Sequence, residues 1–168
     1  KLGDVNGDEL PDIAVTRGKT GILSTYLNSG GNFLMAHDTL LMGQDVPLLG
    51  LGDFNSDGNS DAMVVVLDLG AAYELNGKGN GYFEQTDNAD LGGSLDATEA
   101  VASIYSSVLQ VATIPKAGKA VIVSKSSNGL VVNDFNLDGL PDVAISEEKG
   151  GTVQLFWGMG DGTLAESY

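Results

Sequence analysis

A nine-residue pattern rich in aspartate occurs three times in this chain, and nothing else in the sequence constrains the fold as tightly. The copies are Asp4-Val-Asn-Gly-Asp-Glu-Leu-Pro-Asp12, Asp53-Phe-Asn-Ser-Asp-Gly-Asn-Ser-Asp61 and Asp134-Phe-Asn-Leu-Asp-Gly-Leu-Pro-Asp142. Each puts Asp, Asn, Asp and Asp at positions 1, 3, 5 and 9. Nine of the sixteen aspartates lie in these windows, so the acidity is concentrated at specific places.

Each copy runs directly into an apolar stretch containing β-branched residues: Ile13 to Thr16, Ala62 to Val66 and Val143 to Ser146. Such stretches read as strands. Leu48 to Gly52 and Leu130 to Asn133 read as strands entering the second and third loops, whereas only Lys1, Leu2 and Gly3 precede the first. A glycine-rich turn follows in each case, opening at Leu27, Leu75 and Trp157, which lie 23, 22 and 23 positions beyond the loop's first Asp. A strand-like stretch before each turn and a bulky residue after it predict a β-hairpin. The repeating unit is therefore strand, acidic loop, strand, strand, glycine turn, strand.

Four short antiparallel strands repeating at about 40–50 residues predict β-propeller blades in an all-β fold. The first two loops are 49 residues apart and the next interval is 81, which divides the chain into residues 1–48, 49–90, 91–128 and 129–168. The first blade is expected to lack its opening strand, and three blades are expected to form an arc of a larger ring. Within 91–128, Asp96 and Glu99 have the spacing of a capping box ahead of helical periodicity from Ala97 to Val108. Val108 to Ile114 and Lys119 to Lys125 then flank Pro-Lys-Ala-Gly as a hairpin. An insertion and a degenerate blade lacking its acidic loop are both compatible with this segment.

Three carboxylates converging in one tight loop repel each other by up to about 4 kcal/mol per pair at 4 Å and an effective dielectric of 20. A cation between them removes that penalty. Hard oxygen donors on alternate residues, with a backbone carbonyl at position 7, are what Ca²⁺ takes at six- to eightfold coordination, whereas Mg²⁺ demands a stricter octahedron. The bend near position 6 favours glycine. Gly58 and Gly139 stand there in the second and third loops, but Glu9 does in the first, with Gly7 two residues earlier. That difference predicts a distorted, weaker first site. An EF-hand would need a bidentate acid at position 12 and a following helix. Position 12 here is Val15, Val64 and Ile145, all in strands. Thrombospondin-type calcium repeats lack intervening apolar strands and use disulfides, and this chain has the strands and no cysteine.

The acidic loops, their flanking strands and the glycine turns resemble FG-GAP/VCBS repeats, the blades of integrin-α-type β-propellers, over residues 1–90 and 129–168. The resemblance implies about three Ca²⁺ per chain. Its ligands carry over to the side chains of Asp4, Asn6, Asp8 and Asp12, of Asp53, Asn55, Asp57 and Asp61, and of Asp134, Asn136, Asp138 and Asp142. Backbone oxygens of Leu10, Asn59 and Leu140 complete each set. Ser60 stands where the other two loops have proline. Family-like sites of this kind are closed by protein oxygens, so the calcium is expected to be structural, whereas catalysis needs an open position.

The remaining composition narrows the function. A net charge of −15 and a single arginine, Arg17, exclude a nucleic-acid binder and disfavour docking on an anionic membrane. No apolar run is long enough to span a bilayer. Absence of cysteine removes disulfides and thiolate chemistry, and His37 is the only histidine. His37 with Asp38 reads as a solvated turn pair, and Tyr26, Tyr73 and Trp157 read as core residues.

The expectation is a non-enzymatic, calcium-stabilised recognition, adhesion or scaffold module, extracellular or at the cell surface, with a protein or glycan ligand and further blades as partners. One alternative is part of an extracellular polysaccharide lyase or hydrolase, which the scarcity of Arg, Lys and His disfavours. Another is a repeat unit of a surface fibre or assembly.

Overall fold

The structure, a computed structural model, describes residues 1–41, 45–85 and 120–167. It is all-β: three antiparallel sheets, and no α-helix among the described residues. The first sheet contains β1 (Leu2–Gly3), β2 (Asp12–Thr16), β3 (Ile22–Ser29) and β4 (Asn32–Leu40) in that spatial order, with a short 3-10 turn at Gly18–Thr20. The opening strand expected to be missing is therefore present in short form, because Leu2 and Gly3 pair with Ile13 and Asp12. The second contains β5 (Leu48–Gly52), β6 (Asp61–Val66), β7 (Ala71–Gly77) and β8 (Phe83–Gln85), joined by β9 (Ala120–Ile122). The third contains β10 (Ser127–Asn133), β11 (Asp142–Glu147), β12 (Val153–Gly158) and β13 (Leu164–Glu166). Three sheets do not close a ring among the described residues.

The registers repeat from sheet to sheet. Asp12, Asp61 and Asp142 each open a second strand opposite Gly3, Gly52 and Asn133. One residue further on, Ile13 pairs Tyr26, Ala62 pairs Leu75 and Val143 pairs Phe156. Because side chains alternate along a strand, each sheet has one face carrying the residue directly after the aspartate and one carrying the next.

The sheets stack face to face through these two kinds of surface. Ala62, Val64 and Val66 of β6 join Ala14 and Leu23 of the first sheet in one buried cluster. Met63 and Val65, on the opposite face of the same strand, join Val143, Ile145 and Phe156 of the third sheet in another. Every residue of β6 is buried, as a continuous apolar strand covered on both faces must be. Burying each valine or methionine side chain of β6 contributes about 1.5–3 kcal/mol. The first strands approach one another along the stack: Gly3 faces Leu51, and Gly50 and Gly52 face Leu130, Val132 and Pro141.

Two readings fall partly outside this description. The helix expected from Ala97 to Val108, and the Val108 to Ile114 arm of the hairpin, lie outside the described residues. The other arm contributes Ala120–Ile122, which pairs with Tyr73–Ala71 of β7, while Leu75–Gly77 of β7 pairs with β8. The chain therefore leaves the second sheet at Gln85 and returns to the same edge of the same strand at Ala120.

Candidate functional site

The three acidic loops connect the first two strands of each sheet and share one backbone design. Positions 4 and 6 adopt the left-handed conformation in all three: Gly7 (φ 79°) and Glu9 (φ 65°), Ser56 (φ 59°) and Gly58 (φ 88°), Leu137 (φ 65°) and Gly139 (φ 89°). Each loop fills one of these positions with glycine and the other with a residue that pays for its Cβ, at about 1–2 kcal/mol. The first loop merely exchanges which position holds the glycine. This corrects the expectation that Glu9 distorts it.

The first aspartate organises the turn. Asp4 Oδ1 accepts the amides of Gly7 at 2.7 Å, Asn6 at 3.2 Å and Asp8 at 3.3 Å, and Oδ2 accepts the Glu9 amide at 2.8 Å. Asp134 accepts Leu137, Asp138 and Gly139 in the same way, and Asp53 accepts Asp57 and Gly58. At position 3, the side-chain oxygens of Asn6, Asn55 and Asn136 accept the amide of position 5. At position 5, Asp8, Asp57 and Asp138 accept the amide of position 7 at 2.8–2.9 Å. At position 1 both carboxylate oxygens accept amides, whereas at positions 3 and 5 a single oxygen takes the main-chain amide, and a carboxylate has about four lone-pair sites.

Charge follows the bonding. Partial burial pushes Asp4 upward, but the amides of Glu9, Gly7, Asn6 and Asp8 outweigh it and hold its carboxyl below the ordinary aspartate value. The Asn59 amide does the same for Asp57. Asp61 goes the other way, because burial raises it despite three amide donors.

Position 9 has a role that spacing alone does not reveal. Asp12, Asp61 and Asp142 are fully buried. One oxygen of each accepts the amide of loop position 2, from Val5, Phe54 and Phe135, at 2.8–2.9 Å. The other accepts an amide sixteen residues downstream, from Asn28, Gly77 and Gly158, at 2.8–2.9 Å. This carboxylate sews the loop to the end of the third strand. In the second and third sheets the downstream residue is glycine because a Cβ would land on the carbonyl oxygen of Ser60 or Pro141. In the first sheet Asn28 stands there and its side chain donates to the Pro11 carbonyl at 3.1 Å. The constant offset of sixteen was a signal available in the sequence.

Loops also reach the next sheet. The Gly81 amide donates to the Val5 carbonyl and the Gly162 amide to the Phe54 carbonyl, both at 3.0 Å. Ser60, the residue replacing proline, donates from Oγ to the Asp4 carbonyl at 2.7 Å, linking the second loop to the first.

Leu10, Asn59 and Leu140 lie at position 7, and their amides are held by position 5. As the loops stand, no three acidic groups converge on one point among the described residues, because amide donors rather than a shared centre orient them. The donor set itself is all oxygen, on a loop bent at two left-handed positions, and it fits a hard cation in chemistry.

His37 lies within β4, not in a turn, and its ring meets Tyr82 edge to face with centroids 5.5 Å apart. Asp38 accepts Arg17 at 3.1 Å and Ser24 at 2.5 Å. Tyr73 is buried as expected, while Tyr26 and Trp157 are only half-buried. No helix among the described residues is long and apolar enough to cross a membrane. Comparison of the chain with protein-family models, curated proteins and solved structures finds no match.

Proposed function

We propose that the chain is a calcium-stabilised recognition or scaffold module built of propeller-type blades of the FG-GAP/VCBS kind, working outside the cell or at its surface. One observation carries the reading. All three loops present oxygen donors at positions 1, 3, 5, 7 and 9 on a backbone with the same two left-handed positions, one of them always held by a non-glycine residue. Strain kept in every copy, at position 6 in the first loop and at position 4 in the other two, points to a function for the loop, and oxygen donors at alternate positions suit Ca²⁺.

In this reading Asp4, Asn6, Asp8 and the Leu10 carbonyl, with Asp12 beneath them, hold one ion. Asp53, Asn55, Asp57, Asn59 and Asp61 hold the second, and Asp134, Asn136, Asp138, Leu140 and Asp142 the third. The ion supplies positive charge among clustered aspartates, of which Asp4 and Asp57 are held below the ordinary value by their amide bonds, and it acts as a structural pin. Recognition of a protein or glycan partner is then the task of the surfaces that the pinned loops hold in place.

Metal analysis after dialysis into millimolar calcium should find about three Ca²⁺ per chain, and chelation should lower the melting temperature sharply. No bound calcium, or superimposable melting curves with and without EDTA, would sink the proposal.

A further inference from the structure

We propose that the outer face of the third sheet binds the outer face of the first sheet of a second copy of the chain, head to tail. The inference rests on how the sheets stack and not on calcium binding, so either reading can fail without the other.

The molecule already forms this junction twice. In both internal junctions, the residue two after the loop's last aspartate, Ala14 or Met63, faces the next sheet, whose face carries Ala62 or Val143. The residue at loop position 2 is buried in the same junction, Val5 at 3 % exposure and Phe54 at 1 %. Its carbonyl takes a glycine amide from the next sheet's turn.

The third sheet has the same equipment with nothing described on top of it. Phe135, at the same loop position, is 41 % exposed. Around it the outer face presents Val131 at 56 % and Val153 at 66 %, with Ala144, Leu155 and Trp157 half-buried among them. A contiguous exposed apolar face of this kind marks an interaction site.

The complementary half is at the other end of the same chain. The face that the second sheet turns to the first carries Leu51, Ala62, Val64, Leu75 and Phe83 at register-equivalent places. The first sheet carries Leu2, Ile13, Val15, Tyr26 and Phe33 at those places, with Leu2 71 % exposed. Gly31, two residues before Phe33, matches Gly81 and Gly162 in position and in positive φ. Its amide is held by Asn28 Oδ1 at 2.8 Å in the free chain, and in the junction it passes to the Phe135 carbonyl. The second sheet lies between the two outer faces, so they meet only between copies. A junction made from two different faces is heterologous, and it propagates to a ring or a filament according to whether its rotation closes.

Sedimentation velocity over a wide range of concentration, at an ionic strength where charges are screened beyond about 8 Å, tests this directly. The wild-type chain should grow into oligomers with concentration. Trp157, the only tryptophan and a resident of the third sheet's outer face, should shift its emission to the blue in step. Val131→Lys spoils one face and Val15→Lys the other, so each variant alone should remain monomeric, and an equimolar mixture should form dimers that grow no further. Val153→Lys and Leu2→Lys serve if either first variant fails to fold by circular dichroism. A wild-type chain that stays monomeric throughout overturns the proposal. So does a mixture that stays monomeric, or undiminished self-association of Val15→Lys, which would mean like faces pairing.

Discussion

Asp61→Asn, measured in EDTA, separates what the position 9 carboxylate does for the fold from anything it does for a metal. In the structure Asp61 Oδ2 accepts the Phe54 amide at 2.9 Å and the Asn55 amide at 3.3 Å, and Oδ1 accepts the Gly77 amide at 2.8 Å. An asparagine keeps one acceptor oxygen and turns an NH₂ group toward the other amide. One buried donor then loses its partner and faces a second donor, at about 1–3 kcal/mol for the unsatisfied group. The surviving bond falls from charge-assisted to neutral, a loss of about 1 kcal/mol more. Relief of the buried carboxylate, which burial raises above its ordinary value, returns part of this. The expected net loss is about 2–3 kcal/mol, which for a chain of this size lowers the melting temperature by roughly 4–12 °C. Urea or thermal unfolding followed by circular dichroism reads it out. Asp57→Asn is the control, because Asp57 is exposed and bonds only within its own loop. It should cost little in EDTA and more in calcium. If Asp61→Asn unfolds within about 0.5 kcal/mol of wild type in EDTA, the ordinary range for an inconsequential substitution, the sewing role assigned to position 9 is wrong.

Glu9→Gly and Leu137→Gly each remove a Cβ from a left-handed residue and should raise stability in EDTA by about 0.5–1 kcal/mol, the strain released less glycine's greater chain entropy; a loss in urea titrations would contradict the strain argument. Gly158→Ala should destabilise by about 1–3 kcal/mol, since the added methyl would collide with the Pro141 carbonyl, and a neutral melting curve would show that the strand end can yield. Glu147 accepts hydrogen bonds from Ser124, Ser126 and Thr152, which hold its carboxyl below the ordinary glutamate value of 4.5. Its contribution is therefore present above that value and lost as pH falls through the lowered folded value. The melting advantage of wild type over Glu147→Gln should be constant near neutrality and shrink in acid, and a difference that does not change with pH would rule the linkage out.

Much of the fold was legible because the repeat reports itself at several levels. The apolar runs after Asp12, Asp61 and Asp142 became second strands, and the glycine turns became the bends between third and fourth strands. Loop backbone geometry was legible only in part. Glycine at position 6 was expected to matter, but the need for a second left-handed residue at position 4 was hidden, because Ser56 and Leu137 give no local sign of it. The buried staple at position 9 was hidden for a different reason. Its donors are main-chain amides, which every residue except proline has, so only the regular offset to Asn28, Gly77 and Gly158 could have betrayed it. Ser60 looked like a departure from the pattern, and its hydroxyl proved to bridge two loops. The strand order in the second sheet was also out of reach, because pairing of Ala120–Ile122 with β7 spans a separation that no local preference encodes.

The first two acidic loops each belong to two sheets at once, and this gives them an influence beyond their own turn. Position 9 and its downstream amide fasten a loop to the sheet it comes from. Position 2 fastens it to the sheet that follows, through a buried side chain and a main-chain hydrogen bond from a glycine turn. Straightening a left-handed residue in the first loop would therefore displace Val5 from the first buried cluster and its carbonyl from Gly81, while the corresponding change in the third loop would disturb only Phe135, which no described sheet covers. Whatever holds a loop in its bent form, whether amide bonds alone or a bound cation as well, acts on the stacking of two sheets in the first two cases and on a surface that no described sheet covers in the third. The third loop is thus the copy whose bent form would matter most to assembly, because the surface it shapes is the one through which another copy would add.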